Sequence, residues 1–397
     1  MKINMPYKIV PLSEVVYFQE GPGLRNWQYA NEGIPFLNIR TLTDEGFINK
    51  SLCQCVKKEE FTNKYEHFLL NEGDFVVSSS GTLGKLAEVR KQDLPIMLNT
   101  SVIRFRPLDT NILDRDFLKW FIKSPLYFRQ IESASTGTAI KNYGPSHLKK
   151  MVIPLPPIAS QRRIADILDK ADEIIRKRKE AIALTEQLQK SIFLDMFGDP
   201  VTNPKGWEKV TVNDVVSEVK DGPHVSPEYS HNGIPILSTR NIRPNELIME
   251  DIKYISEDVY LNLIKRFKPQ KGDVLLTKGG TTGFAKVVDW DWNFAVWVHL
   301  ALLRPNNKIR SEFLEATLNS PNCYLQSQLY THGIANKDLG LNRIRKIKMC
   351  LPPLDLQDEY CQIRKKTLFL LNKNKKSLKE SENLFNSLLQ KAFKGEL

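Results

Sequence analysis

The residues best suited to chemistry lie in short loops. Two glycine-bearing turns stand out, Ser78-Ser79-Ser80-Gly81-Thr82 with Lys85, and Lys278-Gly279-Gly280-Thr281-Thr282 with Lys286. Hydroxyl and ammonium groups there can donate to phosphates or to base edges, and glycine permits close backbone approach. The candidate contacts are therefore Ser79, Ser80, Thr82, Lys85, Lys278, Thr281, Thr282 and Lys286. A second pair of loops, 136–143 and 332–337, carries Thr138, Lys141, Asn142, Asn336 and Lys337. Lys can bond guanine and Asn can bond adenine, so these loops suit the reading of bases. Arg40 and Arg240 begin loops after matching strand ends, as phosphate clamps or as base readers. An ordinary β-hairpin turn, or a polar loop docking a helix on its own sheet, would use the same residue types. Both readings stay open at this point.

Catalytic signatures are missing from the sequence. The Leu-Pro-Pro pairs lack the Asn or Asp that would hold a base amino group for methylation. Gly84-Lys85 approaches a phosphate-binding loop, but Leu86 stands where Ser or Thr is required and Ser79 where the first Gly is required. Asp199 with Glu218-Val219-Lys220 resembles a magnesium-dependent nuclease pattern. The aligned positions of the other half of the chain, Phe18 and Glu20, do not repeat it. Cys53, Cys55, Cys323, Cys350 and Cys361 show no paired zinc spacing, which fits a reducing cytoplasm and predicts no metal site.

Those loops need elements to hold them, and the chain writes those elements twice. Gly33-Ile34-Pro35 returns as Gly233-Ile234-Pro235, Gly73-Asp74 as Gly272-Asp273, and Gly81-Thr82-Leu83-Gly84 as Gly280-Thr281-Thr282-Gly283. Arg106-Pro107 returns as Arg304-Pro305, Leu155-Pro156-Pro157 as Leu351-Pro352-Pro353, and Gln161 as Gln357. The order holds throughout, so a unit of about 200 residues is duplicated, too long a period for a solenoid. Each unit opens with a β-rich head, roughly 7–157 and 207–353, punctuated by Gly, Pro and Asn.

A long stretch without Pro or Gly follows each head, with an apolar stripe at helical spacing. In the first it runs through Ile164, Leu168, Ile175 and Ile182; in the second through Leu370, Leu378, Phe385 and Leu388. Polar residues interrupt both stripes, so the pattern predicts two helices of about 50 Å paired as an antiparallel coiled coil. Ile175, Ile182, Leu378 and Phe385 are the candidates for holding a further helical partner.

Of 397 residues, 57 are Lys or Arg against 46 Asp or Glu, a formal charge of +11. That excess suits a polyanion such as nucleic acid, although a merely basic protein would share it. The first residues lack the order of a signal peptide, and the longest apolar run, 294–303, is too short to span a bilayer. The expectation is a cytoplasmic protein with no membrane partner.

The whole pattern, with 197–200 (Phe-Gly-Asp-Pro) after the first helix and 392–397 (Ala-Phe-Lys-Gly-Glu-Leu) at the end, resembles the DNA-specificity subunits of type I restriction-modification enzymes. The Gln161-Arg162 and Gln357-Asp358 openings depart modestly from the family pattern. The resemblance implies an α/β (α+β) chain with two tandem target-recognition domains, mainly β in their cores, separated by two long helices in an antiparallel coiled coil. It places the first domain at 1–160, its spacer helix at 161–199, the second domain at 200–356 and its helix at 357–397. It implies a non-catalytic subunit that reads an asymmetric bipartite site on double-stranded DNA. Two methyltransferase subunits acting on adenine N6 would dock on the helices, and restriction subunits would join them. S-adenosylmethionine, ATP and Mg2+ would belong to those partners and none to this chain. A specificity subunit serving a fused restriction-methylation enzyme, or a nuclease, are the alternatives.

Overall fold

A computed structural model of the chain describes residues 7–133, 142–333 and 337–397. These form two compact units, one built from 1–179 with 377–397 and the other from 180–376. Each unit therefore holds one head, with the first part of one long helix and the last part of the other.

In the first head a four-stranded antiparallel sheet runs in the order Val16–Glu20, Val102–Pro107, Phe75–Ser78, Leu86–Glu88. The second head repeats this order with Val216–Asp221, Leu300–Pro305, Val274–Thr277 and Ala285–Val287. All four residues of Phe75–Ser78 and of Val274–Thr277 are buried. Both faces of these central strands are covered, which explains their continuous apolar runs in place of alternation. The repeated Gly-Asp and Arg-Pro pairs prove to be partners. Asp74 is fully buried and accepts from Arg106 Nε at 2.6 Å and Nη2 at 2.9 Å; Asp273 accepts from Arg304 at 2.9 and 3.0 Å. These side-chain bonds raise both guanidinium pKa values above the ordinary arginine range.

A small strand pair closes each head at its base. Lys8–Pro11 pairs antiparallel with Val152–Leu155, and Glu208–Thr211 with Lys348–Leu351. The heads differ in their three-stranded sheets. Gln54–Val56 is central in the first, whereas Ile234–Leu237 is central in the second and pairs parallel with Ala295–Val296.

The long helices span Ile158–Phe197 and Leu354–Ala392, beginning a few residues before Gln161 and Gln357, directly after the Pro pairs. Each glutamine is fully buried and clamps head to helix. Gln161 accepts from the Asp114 amide at 2.8 Å and donates to the Ile112 and Pro156 carbonyls; Gln357 accepts from Arg310 at 2.9 Å and donates to Lys308 and Pro352. Gly198, at φ +75°, ends the first helix in the left-handed region that glycine tolerates.

Within each unit the two helix segments run antiparallel. In the first, Ile164 and Leu168 share a core with Leu389, Ala392 and Phe393, while Arg178 donates to Ser377 and Lys179 pairs with Glu382 at 3.2 Å. In the second, Phe193 and Phe197 pack edge-on to Tyr360, and Gln189 donates to Thr367 at 3.0 Å. Burial of each large apolar side chain contributes about 1.5–3 kcal/mol. No described helix is long and apolar enough to cross a membrane.

Candidate nucleic-acid interface

Each glycine-bearing turn is pinned from inside by the last hydroxyl of its leading strand. Ser78 Oγ donates to the Thr82 carbonyl at 2.5 Å and accepts from the Lys85 amide at 2.9 Å. Thr277 Oγ1 accepts from the Phe284 amide at 2.9 Å. Gly81 and Gly280 sit at φ +63° and +71°, where a side chain would be strained.

The second loop of each head is bound to that turn. In the first head the Tyr143 amide donates to the Ser79 carbonyl at 2.9 Å, and Ser80 bridges Asn142. In the second, Leu339 donates to Lys278 at 2.7 Å, Gly280 to Lys337 at 3.0 Å, and Gly279 bridges Asp338. Two segments singled out separately in the sequence thus form one surface in each head. Tyr143 is buried beneath it with its hydroxyl 3.1 Å from that of Tyr127, and burial holds its phenol well above the usual range.

The arginine turns join the same surface. Arg40 lies in the turn Ile39–Thr41, capped by the Asn38 side chain, and Ile39 Cδ1 lies 3.3 Å from where a side chain on Gly81 would begin. Arg240 lies in the turn Thr239–Asn241, where Asn241 Oδ1 accepts from the Ser238 amide at 2.9 Å. In the second head these parts enclose an open cleft of about 610 Å³. Arg240, Lys253, Gly279, Gly280, His299 and Lys337 line it, with the aromatic rings of Tyr229 and Trp297. The ammonium of Lys253 lies 4.3 Å from the Tyr229 ring centre. Cations with aromatic faces suit a polyanion that also carries flat bases.

The candidates separate into two groups. Arg40, Thr82, Asn142, Arg240, Thr281 and Lys337 are exposed, and Ser80 is half-buried. Lys85 is half-buried and pairs with Asp44 at 2.6 Å. Ser79, Lys278, Thr282 and Lys286 are buried, which corrects the expectation that their side chains project from the turns. Lys278 is held by Asp221 at 3.5 Å and Asp338 at 3.2 Å, Lys286 by Asp289 at 2.7 Å, and Thr282 bonds Thr331 at 2.9 Å. These side chains shape the turn. Thr138, Lys141 and Asn336 lie outside the described residues.

Sequence reasoning missed Tyr229, Lys253, Trp297 and His299. A signal was available, because the aligned first-head residues, Tyr29, Gln54, Asn99 and Ser101, differ at three of the four positions. The nuclease-like acids have other duties: Glu218 pairs with Arg304 at 3.0 Å, and Asp199 accepts from the Val201 amide at 2.6 Å. Among the described residues, no group of three or more His, Cys, Asp and Glu side chains is placed to hold a metal ion.

The partner-binding candidates on the helices are largely spent within their units. Ile175 is buried, Phe385 stands edge-on to Trp120 at 5.4 Å, and Ile182 and Leu378 are half-buried. Most of their stripe faces inward, and the outward apolar positions, Leu370 of the stripe among them, lie mainly elsewhere on the helices. These are Ile174 and Leu384 in the first unit, and Leu184, Leu188, Leu194, Phe369 and Leu370 in the second.

The family profile described as "Type I restriction modification DNA specificity domain" matches residues 4–184 and, a second time, 204–383. The Type I restriction enzyme EcoKI specificity subunit of Escherichia coli strain K12 is 25% identical, covering 100% of this chain and 90% of that one. The S subunit of a type I restriction-modification system from M. genitalium superposes with a TM-score of 0.62 at 17% identity, covering 99% of this chain and 97% of that one. A chain from a structure described as addressing complex assembly and conformational transition of the type I R-M system gives a TM-score of 0.55 at 20% identity, with 99% and 100% covered.

Proposed function

We propose that this chain, which belongs to the type I restriction modification DNA specificity family, reads a two-part DNA site with one part assigned to each head. As a specificity subunit of such a system it recognises DNA sequence. The observation that carries the division of labour is the repeated surface of turn, second loop and arginine turn. Its scaffold is shared by the two heads while its side chains differ, as in Ser79-Ser80 against Lys278-Gly279. Equivalent scaffolds dock alike and unlike side chains read unlike bases, so the two half-sites are asymmetric.

In this reading the chain carries no catalysis. Two methyltransferase subunits bind the outward apolar positions of the helices, flip an adenine from the duplex and methylate N6. Restriction subunits join them. S-adenosylmethionine, ATP and Mg2+ are held by those partners, and this chain contributes the address.

The test uses the chain with its methyltransferase. The motif is first identified by sequencing modified bases in the source cells. Binding at fixed salt is then compared between a duplex carrying that motif and a scrambled one. The motif should be preferred by about a thousandfold or more. The chain alone, given S-adenosylmethionine or Mg2+ and DNA, should yield no product. Methylated or cleaved DNA from the chain alone, or equal affinity for both duplexes, would overturn the reading.

A further inference from the structure

Three glycines shape the second head's turn, and they are glycine for different reasons. Gly280 and Gly283 have positive φ, at +71° and +91°, and the backbone itself requires them. Gly279 is not among the positive-φ residues. A Cβ placed on it would lie 2.1 Å from Nδ1 of His299, 2.6 Å from Cγ and 2.9 Å from Cβ. The missing side chain is room for the imidazole. Because even His299 Cβ is too close, a rotamer change of the ring alone would not relieve the clash.

The first head supplies the comparison. The registers Ser78↔Val102 and Thr277↔Leu300 make Ser80 the counterpart of Gly279 and Ser101 that of His299. One head pairs a serine with a serine, and the other pairs a glycine with a histidine. The large ring and the empty position occur together. His299 is exposed, it lines the cleft with Arg240 and Lys337, and its carbonyl accepts from the Lys278 amide at 2.8 Å. Its backbone is therefore tied to the floor of the turn while its ring reaches the open side.

We infer that His299, seated in the space left by Gly279, is a specificity-determining residue of the second head and reads the edge of one purine. With Nδ1 against Gly279, the imidazole presents its other nitrogen, which can donate to purine N7 or guanine O6 or accept from adenine N6 in the major groove. The two cations beside it engage phosphates. The inference rests on the cleft being the DNA-reading surface proposed above.

The test measures binding of the methyltransferase complex to the motif duplex and to duplexes altered at one base pair of the second half-site. His299→Ala should weaken the matched duplex about tenfold to a hundredfold and abolish discrimination at a single position. Discrimination in the first half-site should be unchanged. Gly279→Ala should give the same loss by displacing the ring. The double variant Gly279→Ala/His299→Gly should be no worse than His299→Gly alone, since the clash disappears with the ring and its Cβ; that pair also guards against a misfolded turn. Additive losses, or unchanged discrimination in His299→Ala, would overturn the inference. Arg240→Ala separates that outcome from failure of the cleft reading itself, because Arg240→Ala should still weaken every duplex if the cleft binds DNA.

Discussion

Replacing Gln357 with Leu should loosen the second head from its helix. The side chain is fully buried and satisfies three backbone groups: the Arg310 amide at 2.9 Å and the carbonyls of Lys308 at 3.2 Å and Pro352 at 2.8 Å. Leucine fills a similar volume, so the loss is polar rather than steric. A buried group left unpaired costs about 1–3 kcal/mol. Arg310 and Lys308 are exposed residues whose backbone groups recover water, whereas Pro352 is buried and its carbonyl stays unpaired. Exchanging the other two bonds for water costs about 0.5 kcal/mol each, so the sum comes to about 2–4 kcal/mol, a large share of the 5–15 kcal/mol typical of a domain. A chain of two units need not unfold in one step, so local hydrogen exchange is the appropriate assay. The Arg310 amide and the first turn of the helix at Leu354 should exchange on the order of thirtyfold to several hundredfold faster in Gln357→Leu. The first head should be unaffected, and Gln161→Leu should produce the mirror result there. Unchanged protection at Arg310 would refute the assignment of Gln357 as the clamp.

Asp273→Asn should destabilise the second unit by about 2–4 kcal/mol, because it removes the charged fork on Arg304 from a buried site; Asp74→Asn should do the same to the first unit, each read from its urea midpoint. Burial pushes the Cys323 thiol up to about 12, which leaves little thiolate at pH 8; mass spectrometry after iodoacetamide treatment should find Cys323 unmodified in native protein and modified after unfolding. Leu184→Glu with Leu188→Glu, both on the outward side of the helix, should weaken capture of the methyltransferase at least tenfold while isolated DNA binding persists. Phe385→Ser should instead lower the melting temperature of the first unit, because Phe385 packs on Trp120.

The duplication, the β-rich heads and the two long helices were legible because each leaves a local periodic trace. Strand runs follow Gly-Asp, and the helical stripes last some forty residues without Pro or Gly. The roles of several repeated residues were not. Asp74 and Arg106, or Gln161 and the Asp114 amide, are joined by hydrogen bonds between segments far apart in sequence, and no local pattern carries such a pairing. Lys278 reads as a surface donor for the same reason, since Asp221 and Asp338 lie far from it in sequence; Lys286 meets Asp289 only three residues on, but the packing that buries it is set by the fold. Helical spacing found the apolar face of Phe385 but could not reveal that Trp120 covers it. His299 escaped notice because an isolated histidine has no motif. It becomes visible only when Gly279 is seen to make room for it.

The central claim is that each head reads its own half-site through the surface where its turn, second loop and arginine meet. The most direct measurement is genome-wide mapping of methylated adenines in cells whose only specificity subunit is the Arg240→Ala/Lys337→Ala variant. The claim predicts that the second half of the methylation motif loses definition or that its methylation falls, while the first half keeps its sequence. Methylation unchanged in both motif and extent, or a motif blurred equally in both halves, would contradict it.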